Sequence, residues 1–266
     1  MAKINPPSDS LVANEEEAGS GLSLLGHLNE LRIRLTYVVG ALLVTTALSF
    51  AFAEPMLQFL LGPYANSIEG VVELQTLEPT EGIETFFKVS LLSGSIFAMP
   101  IILYQFWQFI VPGLTKSERR YIFVFLPSAL ILFALGILFA WFVLIPAAVF
   151  FLANFLGTIF KPDWTPRGYV GFVLRMLFWL GIAFEMPVII YFVARVGIVS
   201  AKVLREQWRF AIVGIAVLAA VITPSIDPVT MLLTMAPLLV LYVMSIGLAI
   251  VGQRQFERSV AVEAVE

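Results

Sequence analysis

Cysteine is absent from the 266 residues, and histidine occurs once. Without cysteine there can be no disulfide framework, no thiolate metal site and no cysteine nucleophile. A single histidine excludes an HExxH zinc helix, and neither GxSxG nor GxxxxGK[ST] is present, so hydrolysis of peptide or nucleotide has no visible machinery. His27 with Glu30 reads as a surface pair, not a metal site. No basic patch with interleaved aromatics is found, which argues against nucleic acid. No glycine pair has GxxxG spacing, so helix pairing through that motif has no support. Charge is also scarce: 13% of residues are Asp, Glu, Lys or Arg, against 59% hydrophobic residues and a mean hydropathy of +0.92. A soluble globule of this length cannot hide so much apolar surface, so lipid must cover it.

What is present is a set of six long apolar stretches with alternating charge between them. Segments 1–34, 112–120, 195–209 and 251–266 hold twelve of the basic residues; segments 54–88, 154–168 and 224–228 hold only Lys88, Lys161 and Arg167. Basic loops stay in the cytoplasm. The expected class is therefore all-α: a polytopic membrane protein with six transmembrane helices and both termini cytoplasmic. Three parts are expected: a disordered cytoplasmic tail over 1–21, a membrane domain over 22–251 and a cytoplasmic C-terminal tail over 252–266. The first of these is polar and acidic, with Pro6-Pro7 and Glu15 to Glu17, and has no apolar core of signal-peptide length.

From Leu22 the pattern changes. Leu24, Leu28, Leu31 and Leu35 form one helical stripe beside the polar stripe of His27, Glu30 and Arg34, which predicts an amphipathic surface helix that then turns into the membrane. The spans are expected at about 35–53, 89–111, 121–145, 169–194, 210–223 and 229–251. The third stretch is expected to continue as helix to Phe160. Pro127 is a candidate kink, and Pro237 is expected to break the sixth span. Tyr104, Phe106, Trp107 and Phe109 suit the headgroup level. The fifth run covers only roughly 21 Å at about 1.5 Å per residue, against a hydrocarbon core about 30 Å thick.

Ionisable side chains inside a bilayer cost on the order of 3 kcal/mol each, so each asks for a reason. Glu185 reads either as a carboxyl that is protonated or bonded to a neighbouring helix, or as part of a hydrophilic patch on a concave face. Arg175 lies ten residues earlier, roughly 15 Å along a helix axis, and is expected to snorkel outward. Glu30 can pair with Arg34 at i,i+4, and Thr115 to Glu118 fits a capping box. Taken together, Glu30 and Glu118 could instead receive two guanidinium groups bidentately, which favours Arg over Lys.

Several stretches resemble one known family. His27-Leu28-Asn29-Glu30-Leu31-Arg32-Ile33-Arg34-Leu35 looks like the HLxELRxRL opening of TatC, the multi-span component of twin-arginine protein translocation. The run from Pro100 to Pro112, with Tyr104, Gln105, Trp107 and Phe109, fits the same family. So do Lys116-Ser117-Glu118-Arg119-Arg120, Gly181 to Pro187 with Phe184-Glu185, and Thr223-Pro224 followed by Asp227. The resemblance covers about 22–250.

It implies a glove-shaped scaffold in a bacterial cytoplasmic (inner) membrane that receives twin-arginine signal peptides of folded precursors. Transport would be driven by the proton-motive force, without enzymatic activity, nucleotide or cofactor. Glu30 and Glu118 would meet the arginine pair, with Arg32 and Phe109 close by. Glu185 would be the intramembrane polar site, and Pro63, Phe87 and Asp227 would mark the external loop and turn. Single-span TatA and TatB would be partners, on the short last helices, in a multimeric complex. Val243, Met231 and the inserted Ile226 depart from the family's pattern at the outer end of the last two helices. From the residues alone, the rival is a secondary transporter with Glu185 as a proton-coupled carboxylate.

Overall fold

The computed structural model describes residues 9–65, 74–110, 122–155, 159, 163–223 and 227–263. Eleven helices fill them: α1 Asp9–Ala51, α2 Ala53–Leu60, α3 Gly62–Ala65, α4 Glu81–Ile110, α5 Ile122–Phe139, α6 Ile145–Asn154, α7 Pro166–Ala183, α8 Met186–Arg195, α9 Ala201–Glu206, α10 Trp208–Ile222 and α11 Pro228–Glu263. They make six spans, running up and down. Five are long, taking α5 with α6 and α7 with α8 as one crossing each, and the sixth is the short α10. Its 15 residues reach roughly 22 Å at about 1.5 Å per residue. That falls short of a hydrocarbon core about 30 Å thick.

An even number of crossings leaves α1 and α11 starting and finishing at one end, here the tail end. The other, the cap end, is closed by α2, α3 and the segments before α4 and α7. Hydroxyls along the spans bond back to carbonyls one turn earlier, as Ser93 does to Val89, Thr234 to Thr230 and Ser245 to Leu241. No buried span can leave them to water.

Several local expectations change. α1 is one continuous helix through Leu35, with no turn from a surface helix into the membrane, because nothing between Leu22 and Ala51 breaks the ladder; it begins at Asp9, inside the segment read as a tail. α11 runs on to Glu263, so the C-terminal segment is helical as far as it is described. The third crossing ends at Asn154, where Phe155 turns to extended backbone, and Phe160 lies outside the described residues. α5 runs through Pro127, and the wide turn falls later, a π-turn over Ala140–Leu144 just before Pro146. Proline's missing N–H and its ring open the preceding turn.

Pro237 does not break the sixth span, since α11 continues through it. The interruption is at Phe184-Glu185, ahead of Pro187, where Phe184 N–H still bonds Leu180 O and Glu185 N–H bonds Ile182 O, both at 3.0 Å. Trp107, one turn before the end of α4, does not face lipid. It is buried, stacked on Phe125 at 5.2 Å and edge-on to Phe192 at 5.0 Å, inside the core of α4, α5 and α8.

Small residues set how closely the helices cross. A Cβ on Gly94 would lie 2.6 Å from Thr46 Cα, so α1 rests on α4 there by backbone. Gly136 meets Leu180 and Phe184 in the same way, and Gly252 meets the Tyr191 carbonyl. The resulting surface is concave on one side. Leu135, Phe139, Phe184, Pro187, Pro237 and Met244 border an apolar groove of about 600 Å³. Both Pro187 and Pro237 face it, the first just after the interruption at Phe184-Glu185 and the second inside the unbroken α11.

Candidate functional site

At the tail end, α1 and α4 bring four polar or aromatic side chains around one carboxylate. Arg34 donates to Glu30 Oε1 from Nε at 3.0 Å and also from Nη2. Its third nitrogen, Nη1, donates to Gln105 Oε1 on α4 at 3.3 Å. The i,i+4 spacing makes the first contact, and the close crossing of α1 on α4 makes the second. Glu30 Oε2 is left with His27 Nδ1 at 3.9 Å, outside hydrogen-bond range. His27 in turn stacks on Phe109, centroids 4.4 Å apart and planes 22° apart.

Among the described residues Glu30 is thus clamped on one oxygen and has no hydrogen bond on the other, with about a quarter of its side chain exposed. An ionised carboxylate has roughly four lone-pair sites, so a further guanidinium can be accepted. Arg32 is on the opposite, exposed face of α1. Among the described residues its side chain has no hydrogen-bonding partner, and only its carbonyl is used, by Thr36. Glu118 lies outside the described residues, as do Lys116, Arg119 and Arg120.

Glu185 is 4% exposed, between the groove residues Phe184 and Pro187, and its Oε1 finds no hydrogen bond among the described residues. At the cap end, Pro63 is buried in α3. Phe87 is exposed and meets Phe50 edge-on at 5.1 Å. Asp227 caps α11, accepting from Thr230 N–H at 2.6 Å, with Pro228 as the first helical residue.

Two features escaped sequence reasoning. One is Gln105, a polar residue in an apolar run and so in principle a signal. The other is a charge network that holds the cap. Arg167 donates to Glu78 at 2.8 Å and to Glu84 at 3.0 Å, while Glu81, 3% exposed, accepts from the Leu77 and Arg167 N–H groups. Tyr169 donates to the Leu60 carbonyl at 2.8 Å, and Tyr64 stacks on Trp164 at 5.0 Å. Burial raises the Tyr64 phenol above its ordinary value, and the negative charge of Asp163 adds to the rise.

The architecture has close counterparts. A solved structure described as the twin arginine translocase receptor TatC superposes with a TM-score of 0.79 at 38% identity, over 85% of this chain and 99% of that one. The Sec-independent protein translocase protein TatC of Synechocystis sp. is 38% identical over 226 residues, 85% of this chain and 87% of its own length. The protein of the same name from Aquifex aeolicus is 38% identical over 236 residues, 88% and 97% of the two chains. The family model for Sec-independent protein translocase protein (TatC) matches residues 26–237. With that span and those identities, the chain belongs to the TatC family of protein translocase components, which are not enzymes.

Proposed function

We propose that this chain is the receptor and scaffold of a twin-arginine translocase, binding signal peptides at its tail end and supporting transport of folded precursors driven by the proton-motive force. The observation that carries the reading is the half-occupied Glu30 carboxylate, fixed by Arg34 and Gln105 beside the His27–Phe109 stack. An incoming arginine takes the open oxygen, and Glu118 supplies the second carboxylate. Phe109 flanks the pair through its stack on His27, whereas Arg32, on the opposite face of α1, is left to contact the peptide outside the arginine pair. Because Arg34 already holds Oε1, the incoming guanidinium meets Glu30 through one oxygen, and its remaining planar donors stay free for the second carboxylate, a division that a compact ammonium makes less well.

The apolar part of the peptide then lies along the concave groove, at about 25 cal/mol per Å² buried. The groove gives it an apolar bed next to Glu185. The basic tail end faces the cytoplasm of a bacterial inner membrane, so the cap is external. Pro63, Phe87 and Asp227 are read as positions that shape the cap and its turn. TatA and TatB are the partners, on the faces of α10 and α11, where Val217, Val221, Val240 and Val243 are exposed.

Photo-crosslinking of a twin-arginine peptide and a twin-lysine control to Glu30→Gln tests the reading. The substitution is expected to lower twin-arginine crosslinking roughly tenfold, the worth of one charge-assisted bond, and to leave the control nearly unchanged. Equal losses for both peptides would overturn it.

A further inference from the structure

A second cleft, of about 370 Å³, opens on the membrane side of the cap, between the end of α6 and the first turns of α7. Leu152 and Phe172 line it with apolar surface, Trp164 and Tyr169 with aromatic surface, and among the described residues it holds one cation, Arg175, and one anion, Asp163. Both charged side chains are exposed. Neither has an ion-pair partner among the described residues, in contrast to Arg167 close by, whose Nη2 pairs with both Glu78 and Glu84.

The placement of the two charges is informative. Helix side chains tilt toward the N-terminal end, and Arg175 follows this: its Nε donates to the Gly171 carbonyl at 3.0 Å, so the guanidinium climbs from the span toward the cap. Asp163 precedes Pro166, the first residue of α7 at the cap end, whereas Arg175 lies within that helix. The cation is therefore the deeper charge and the anion the outer one. A zwitterionic phospholipid has the opposite polarity in the same order, with its phosphate near the glycerol and its ammonium farther out. Apolar walls below and aromatic rings at the rim suit the start of an acyl chain and the headgroup level.

We propose that this cleft holds one zwitterionic phospholipid of the cap-side leaflet, its phosphate on Arg175 and its ammonium on Asp163. An anionic lipid such as phosphatidylglycerol satisfies Arg175 but leaves Asp163 opposite a neutral headgroup, so it is the weaker occupant. The site is separate from the Glu30 carboxylate and from the concave groove, and it stands whether or not signal peptides bind there.

Native mass spectrometry of the full chain in detergent, titrated with phosphatidylethanolamine or phosphatidylglycerol, tests the proposal. The unsubstituted chain is expected to retain phosphatidylethanolamine more strongly. Arg175→Gln should weaken both lipids, by roughly tenfold or more for a lost charge-assisted bond, whereas Arg175→Lys should keep much of the binding. Asp163→Asn should abolish the preference between the two lipids and leave phosphatidylglycerol binding intact. Thermal unfolding of each variant checks that the exposed substitutions leave the fold in place. Equal retention of both lipids by the unsubstituted chain, or lipid binding indifferent to Arg175, would overturn the proposal. So would competition by glycerophosphoethanolamine, the headgroup without its chains, as strong as by the intact lipid, because the cleft would then be a site for a soluble phosphodiester.

Discussion

Arg34 on α1 and Gln105 on α4 are joined by a 3.3 Å hydrogen bond, and the same guanidinium grips Glu30 one turn back along α1. The orientation of the proposed receptor carboxylate is therefore set by a residue on another helix. Removing Gln105 leaves the i,i+4 pair intact but lets it swing. Gln105→Leu is expected to weaken twin-arginine peptide binding by a few-fold, less than Glu30→Gln, because a partly exposed pair of this kind contributes about 1 kcal/mol or less. Peptide titration by fluorescence anisotropy on the purified variants measures the order. A Gln105→Leu loss as large as that of Glu30→Gln would mean that Gln105 touches the peptide itself.

The crossing of α1 on α4 has no spare room at Gly94, where an added Cβ would sit 2.6 Å from Thr46 Cα. Because the obstructing atom is backbone, no rotamer change can relieve it. Gly94→Ala is expected to lower the thermal midpoint in detergent, with an overpacking cost of about 1–3 kcal/mol. Gly214→Ala in α10, with nothing within 4 Å, should be neutral or gain up to about 1 kcal/mol in helix propensity. The control separates a packing effect from a general response to alanine.

Parts of this architecture were legible along the chain and parts were not. The six crossings follow from long apolar runs, and the short α10 from a run that stops at Thr223. The Glu30–Arg34 pair follows from spacing within one helix. Gln105 as its partner, Trp107 in the core and Arg167 among three glutamates do not, because each depends on which helix faces which across tens of residues. Pro237 and Pro187 look equivalent in sequence. Yet α11 continues through the first, while the chain is interrupted just ahead of the second, a choice made by tertiary packing and not by proline itself.

Arg167 ties the segment before α4 to the start of α7 through Glu78, Glu84 and its own N–H on Glu81. Its side chain is partly exposed, so the tie should weaken with salt. Arg167→Ala is expected to speed proteolytic cleavage around 74–80 in reconstituted liposomes, with helix content unchanged. Both side-chain contacts come from Nη2 alone, so Arg167→Lys should restore most of the protection, an ammonium having three donors for the same two carboxylates. Cleavage rates read by mass spectrometry, at low and high salt, give the comparison.

Glu185 is the reverse case, a carboxyl 4% exposed whose Oε1 has no hydrogen-bond donor among the described residues. A buried polar atom without a partner costs about 1–3 kcal/mol, and replacing it by an apolar side chain of similar length removes that cost. Glu185→Leu is therefore expected to raise the thermal midpoint of the isolated protein, whereas Glu185→Gln, which keeps a polar head in the same place, should change it little. A residue retained at such a cost in the wall of the groove is expected to serve transport, so precursor export by Glu185→Leu should fall as stability rises. A lower midpoint for Glu185→Leu would show that the carboxyl is satisfied in the folded protein, and the stability argument for its role would fail.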